Sequence, residues 1–260
     1  MTLSLLGVAL MDYTEVVYVT KSQRLGLRGN QLKWFTNNKF IKLNTYTWYE
    51  DISEVLVSHL LSFTNMQSYL KYYYCIIVED GVKLGDGCYS YNYLSAEQRD
   101  ISFYRLFKRN GFDIGRMSYD EVRETLYDIT GVDYKPYIDS CLCVDAMTYN
   151  EDRHFNNLSV VAVEDNYSFA PLYDFGLSCL ADTITYPVTE SVESCIERVL
   201  ANPFKSNFIY QLQEARVTPI LFDYDSFLNS VGELRCNEQR ALEVIKLGVE
   251  RTRGVAWTEF

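Results

Sequence analysis

Along the first third of the chain, apolar residues come in short β-branched or aromatic runs separated by polar turns, a pattern of strands rather than helices. Residues Glu15–Val19, 32–35 and Lys39–Leu43 form three such runs, divided by Gly26-Leu27-Arg28-Gly29-Asn30 and by Asn37-Asn38. An earlier apolar stretch, 3–10, is short and has no basic residues before it, so it reads as a strand and not as a signal peptide. From about 51 to 62 the period changes. Val55, Leu56, His59, Leu60 and Phe63 fall at helical spacings and predict one amphipathic helix, with His59 a core or boundary residue. Strand patterns return at 72–78 and 83–91 around the turn Glu79-Asp80-Gly81.

Beyond residue 92 the pattern is mainly helical. Ser118 and Glu121 form a capping box, Gly131 stands where that helix should stop, and 134–147 reads as a buried helix. Two short strands at 158–162 and 167–172 precede helices at 189–200, 207–215 and 237–251. The expected class is α+β in two lobes: a strand-rich N-lobe over 1–92, a larger helical C-lobe over 93–260, and a cleft between them.

Composition narrows the function. With 260 residues and 48% hydrophobic content the chain buries a real core. A formal charge of −11 repels polyphosphate backbones, so direct nucleic-acid binding is not expected. Seven cysteines without a CxxC spacing, and only two histidines, argue against a structural zinc site or a disulfide framework and for reduced thiols. No apolar run is long enough to span a bilayer, so a soluble cytoplasmic protein is expected, with no membrane partner.

The chemistry concentrates in Asn150-Glu151-Asp152-Arg153-His154-Phe155-Asn156-Asn157 and, after the two short strands, Tyr173-Asp174-Phe175-Gly176. Phosphoryl transfer needs a carboxylate at the acceptor hydroxyl and oxygen ligands for Mg²⁺ on the nucleotide phosphates. Asp152 and Asn157 sit on one loop, the first suited to the acceptor and the second to the metal. A hairpin formed by the intervening strands would return the chain to deliver Asp174 as a second metal ligand. Asp-Phe-Gly alone is weak evidence; D-R-H-x-x-N followed by it at loop–hairpin spacing is far more specific.

At these residues the sequence resembles the HipA-like protein kinases, short members included. The family carries N-x-D-R-H-x-x-N and then an aromatic-Asp step after a proline, here Asn150, Asp152, Arg153, His154 and Asn157, then Pro171, Tyr173 and Asp174. The likeness runs from about residue 35 to 215 and takes in Asp145 and Asn202-Pro203-Phe204. It implies a two-lobed protein-kinase-like fold and an ATP- and Mg²⁺-dependent Ser/Thr kinase, with Asp152 the catalytic aspartate and Asn157 and Asp174 the Mg²⁺ ligands. It also implies a protein substrate and an antitoxin or other regulatory partner. HipA itself has an N-terminal subdomain for which this chain leaves no room, so its antitoxin and DNA contacts do not carry over.

A kinase also needs a cation on the phosphates and an acid to orient it. The family's Ile-Lys step before a helix that begins Ser/Asn-Glu points to Lys42 and Glu54; Lys39 and Glu50 are the local competitors. No G-x-G-x-x-G is present, and the nearest phosphate cradle is 22–30, with Gly26 and Gly29. The hinge falls at Cys88-Tyr89-Ser90-Tyr91, with Tyr89 as the adenine-side contact. Arg153 is expected to brace the loop, Asp145 to support it by hydrogen bonding, and His154 to be packed and hydrogen-bonded. A lipid or small-molecule kinase with the same loop, or a nucleotide-binding pseudokinase, are the alternative readings.

Overall fold

The computed structural model describes residues 15–25, 31–44, 49–232 and 236–260. The proposed cradle glycines Gly26 and Gly29, and the apolar stretch 3–10, lie outside the described residues. Five strands form one sheet in the order β1-β4-β5-β3-β2. They are β1 (Glu15–Val19), β2 (Lys33–Thr36), β3 (Lys39–Leu43), β4 (Tyr72–Glu79) and β5 (Val82–Tyr91). β1 runs parallel to β4 and every other pairing is antiparallel. Asn37 and Asn38 both take positive φ (48° and 61°), the two-residue turn whose twist suits a tight hairpin, and this sets Lys33 opposite Lys42. Gly87 lets β5 lie close to β3: a Cβ there would sit 2.1 Å from the Lys42 carbonyl oxygen.

Helix α1 (Glu50–Leu61) joins the two lobes. Val55 packs under the sheet with Tyr72, Tyr74 and Cys88, while Leu56, Val57, Leu60 and Leu61 enter the core of the helical lobe. His59 is half-buried and bonds Ser230 Oγ at 2.8 Å; burial first, then Lys71, lowers its pKa to about 4.

After Tyr91 the chain leaves the sheet. β6 (Arg99–Ser102) pairs with β7 (Ser159–Val163), which pairs with β8 (Asn166–Phe169). The helices of this lobe are α2 (Phe103–Arg109), α3 (Tyr119–Thr130), α4 (Lys135–Thr148), α5 (Val192–Ile196), α6 (Phe208–Ala215), α7 (Tyr224–Ser230) and α8 (Cys236–Thr252). A two-stranded pair, β9 (Ile220–Leu221) with β10 (Trp257–Thr258), completes it. The Ser118–Glu121 capping box and the left-handed Gly131 stop (φ 70°) bound α3 as the sequence predicts. α4 is buried all round from Tyr137 to Thr148, which is why its sequence shows no polar face.

Three expectations shift. The helix predicted at 189–200 is only Val192–Ile196, because from Cys195 the backbone tightens into i→i+3 bonds (Arg198 N to Cys195 O, Val199 N to Ile196 O). The strand predicted at 167–172 ends at Phe169, and Leu172 instead bridges to Tyr69. α2 and α7, each of seven residues, are too short to show a helical period. Among the described residues no helix is long and apolar enough to cross a membrane, and the six described cysteines are free and buried.

α8 crosses α4 at Gly248, where a Cβ would stand 2.1 Å from the Met147 carbonyl oxygen. Gly248→Ala is therefore expected to lower stability by about 1–3 kcal/mol despite alanine's better helix propensity. A urea titration that shows equal or greater stability would refute the close approach.

Candidate active site

α4 delivers the loop that carries the chemistry. Tyr149, at left-handed φ 52°, ends the helix, and the Asn150 amide N–H donates to Asp145 O at 3.0 Å. Beneath the loop lies Arg153, wholly buried. Its Nε and Nη2 donate to the two Asp145 carboxylate oxygens at 2.8 and 3.0 Å. Its Nη1 donates to the carbonyls of Asn157 (3.1 Å) and Tyr173 (3.0 Å), and the guanidinium carbon stands 5.3 Å from the Phe175 ring. Asn150 Nδ2 donates to Asp145 Oδ1 at 2.7 Å, and Asn150 Oδ1 accepts from the Asp152 N–H at 3.2 Å. The bracing expected of Arg153 and Asp145 is thus what the structure holds.

Asn157 folds back on the loop: its N–H reaches His154 O at 2.8 Å and its Nδ2 donates to Asp152 O at 2.9 Å. That leaves Asn157 Oδ1 as the amide atom a cation would take. Asp152 is half-buried; burial raises its pKa, the Asp174 charge adds to the rise, and His154 opposes it. His154 itself is exposed, not packed as expected: the turn at 154–157 uses its backbone carbonyl, while Phe155 and Asn157 supply the side chains that pack and bond.

The β7–β8 hairpin returns the chain to Tyr173 and then Asp174, held at positive φ (63°). Asp174 Oδ1 accepts from Lys42 Nζ at 2.7 Å. Lys42 also donates to Glu54 Oε1, and Glu54 Oε2 accepts the Phe175 N–H at 2.9 Å. Burial works against the charge on Asp174, but Lys42 and then Lys33 hold its carboxyl below the usual range. The same carboxylates, Asp174 before Glu54, overcome burial and raise Lys42. The competitor Lys39 is engaged elsewhere, with Glu15 at 2.6 Å and the Tyr89 ring at 4.1 Å.

Lys42 and Asp174 open on a cavity of about 370 Å³ whose lining also includes Lys33, Tyr72, Asp100 and Asn156, while Asp152, Asn157 and Glu54 do not line it. Tyr89 does not line it. Pleating puts Lys42, Cys88 and Ser90 on the cavity face of the sheet and turns Tyr89 to the other, where it stacks on Tyr73 at 5.3 Å. Residues 88–91 also remain inside β5, so the connection between lobes begins after Tyr91, where Tyr93 and Leu94 line the cavity. Three further groups escaped the sequence reading. Lys33 was derivable, since the Asn37-Asn38 hairpin fixes it opposite Lys42. Asp100, bonded to Tyr93 OH and to Ser159 Oγ (3.0 Å), had no local signal. Glu50 appeared only as a competitor of Glu54; it is buried beside Gly176, where a Cβ would come 3.1 Å from its Oε2.

Glu50 titrates near neutrality. Burial raises its pKa to about 7, with Glu54 and Asp174 adding to the rise and Lys42 and Lys33 opposing it. A carboxyl raised from 4.5 in the unfolded chain binds its proton more tightly when folded, so stability falls as pH rises from about 4.5 through 7. Glu50→Gln removes that loss. The variant should gain about 1–3 kcal/mol over the native protein on going from pH 5 to pH 8, read by urea unfolding at both values. Parallel pH profiles for the two proteins would show that Glu50 is ionised throughout.

No protein-family model and no curated protein matches the chain in sequence. Solved structures do match. The proinflammatory kinase CtkA of Helicobacter pylori superposes with a TM-score of 0.62 at 13% identity, over 85% of this chain and 90% of CtkA. HipA of Shewanella oneidensis MR-1, solved with HipB and operator DNA, gives 0.47 at 14% identity, over 88% of this chain and 58% of HipA. The first likeness establishes the architecture: this chain has a two-lobed, kinase-like fold.

Proposed function

We propose that the chain is a HipA-like protein kinase that uses ATP with Mg²⁺ and transfers the γ-phosphate to a serine or threonine hydroxyl of a protein. The observation that carries this reading is Lys42 Nζ held between Glu54 and Asp174 on the wall of a cavity large enough for a nucleotide. Lys42 binds the α/β-phosphates, and Glu54, fully buried, fixes its direction. Lys33 adds a second cation on the same face of the sheet.

The donor set suits a hard divalent cation. Among the described residues no three His, Cys, Asp or Glu side chains gather as a protein-only metal cluster. Asp174, kept ionised, and Asn157 Oδ1 are two oxygen donors, the number Mg²⁺ takes from protein when phosphates and water complete its shell. They would hold the ion, which when bound neutralises charge on the phosphate oxygens. Asp152 accepts the proton of the acceptor hydroxyl, and burial, by raising its pKa, makes it a better acceptor than an exposed aspartate. Asn150 and Arg153 keep the Asp152 backbone in place without touching either substrate.

Asp152→Ala and Asp174→Ala are each expected to cut phosphate transfer from labelled ATP by at least about 10²-fold. Circular dichroism should show both folded, and Asp152→Ala should still bind ATP. Labelling by Asp152→Ala at the native rate would overturn the assigned role. Transfer to lipids but never to protein would move the reading to a lipid kinase, and ATP binding without transfer under any divalent metal would make the chain a pseudokinase.

A further inference from the structure

The chain is acidic overall, yet four cations lie on β6 and α2, and one of them, Arg105, lines the cavity. Arg99, Arg105, Lys108 and Arg109 lie within β6 and α2, and all four are exposed. On α2, Arg105, Lys108 and Arg109 share one face with Tyr104 (43% exposed), while Phe103, Leu106 and Phe107 are buried on the opposite side. Lys108 Nζ stands 5.8 Å from the Tyr104 ring.

Several basic groups elsewhere on the surface are matched, while Lys21, Lys71, Lys83, Arg216 and Lys246 stand singly outside any ion pair among the described residues. Arg24, Arg123, Arg198, Lys205, Arg251 and Arg253 each have a carboxylate partner. Among the described residues no ion pair takes up Arg99, Arg105, Lys108 or Arg109. Asp100, the acid between them in sequence, is turned inward to Tyr93 and Ser159. A cluster of unmatched like charges is electrostatically costly to the free protein, and an opposite charge supplied from outside relieves it.

Its position gives it meaning. The Tyr104 N–H donates to Phe155 O at 3.0 Å and the Phe103 N–H to Leu158 O at 2.8 Å, so the start of α2 is fixed to the Asp152–Asn157 loop. Arg105 and Asn156 both line the cavity. The basic face therefore begins where the acceptor must enter and runs outward along α2.

We propose that this face reads acidic side chains next to the phosphoacceptor, so that the preferred substrate is an acidic protein segment. The proposal rests on the kinase reading and adds the substrate class. Three cations spaced over about 6 Å of helix axis match two or three carboxylates of an extended peptide. They are too short a track for a nucleic-acid backbone, and the net charge of −11 opposes one.

The full chain is tested by fluorescence anisotropy with a labelled serine peptide flanked by Asp and Glu, and with the same peptide carrying Asn and Gln instead. The native protein should bind the acidic peptide at least about tenfold more tightly. Lys108→Glu/Arg109→Glu, two exposed residues outside the cavity lining, should abolish that preference while far-UV circular dichroism and ATP binding stay unchanged. Equal binding of both peptides by the native protein, a preference that survives the double reversal, or tighter binding of a single-stranded RNA than of the acidic peptide overturns the proposal. Binding is read without phosphate transfer, so the two readings fail separately. An acidic preference in a protein that transfers no phosphate sinks the kinase reading alone, and transfer to peptides of every charge with equal efficiency sinks this one alone.

Discussion

One buried guanidinium ties α4 to the loop that carries Asp152 and to the residue before Asp174. Arg153 is inaccessible to solvent and its charge is met by Asp145, which is equally buried. Taking both ions out of water costs several kcal/mol each, and the arrangement is tolerable only because Arg153 is saturated with acceptors: two carboxylate oxygens and two carbonyls. Those acceptors belong to three separate pieces of chain, namely α4, the loop that carries Asp152 and Asn157, and the residue before Asp174. A lysine has neither the planar fork nor the reach to hold all three. Satisfying that one cation thus ties the Asp152–Asn157 loop to the residue before Asp174, which explains why buried bracing groups sit in the densest part of the motif.

Lys42 does for the two lobes what Arg153 does within one. It leaves the sheet, meets Glu54 on α1 and Asp174 beyond the hairpin, and Glu54 grips the Phe175 N–H with its other oxygen. α1 is itself shared between the two hydrophobic cores. A rotation of that helix would therefore move Glu54, Lys42 and the Asp174–Gly176 segment together. Around Lys42 stand three acids, Glu50, Glu54 and Asp174, against Lys42 and Lys33; burial first, and then the charges of Glu54 and Asp174, raise the pKa of the Glu50 carboxyl.

Much of this could be read along the chain, and the reasons for the rest are specific. Strand alternation and the Asp152–Asn157–Asp174 spacing are local patterns, and α4, α6 and α8 were long enough to show a period or an unbroken apolar run. The hinge was misread because Cys88–Tyr91 is rich in strand formers and a boundary between lobes leaves no mark when a strand simply continues; pleating then turned Tyr89 to the far face. Lys33 lay within reach of the sequence, since an Asn-Asn turn with both residues at positive φ dictates the register of its hairpin. Asp100 did not. Its partners Tyr93 and Ser159 come from segments brought together only by the β6–β7 pairing, which two four- and five-residue strands scarcely announce.

The acidity of the chain was the sequence feature most open to over-reading. Net charge governs encounter at distances where the whole molecule acts as one body, and salt removes it beyond roughly 8 Å. On the cavity lining Lys33, Lys42 and Arg105 stand beside Asp100 and Asp174, so a group bound there would meet cations at short range. A total of −11 is therefore compatible with binding a nucleotide's phosphates, provided the negative charge resides elsewhere. Part of that charge is already met on the surface by neighbouring cations, as at Glu190, Glu197 and Glu214. What the overall charge does discourage is a long polyanion lying across the surface, and a short acidic segment at the α2 face avoids that repulsion by making its contacts within one Debye length of the cations it meets.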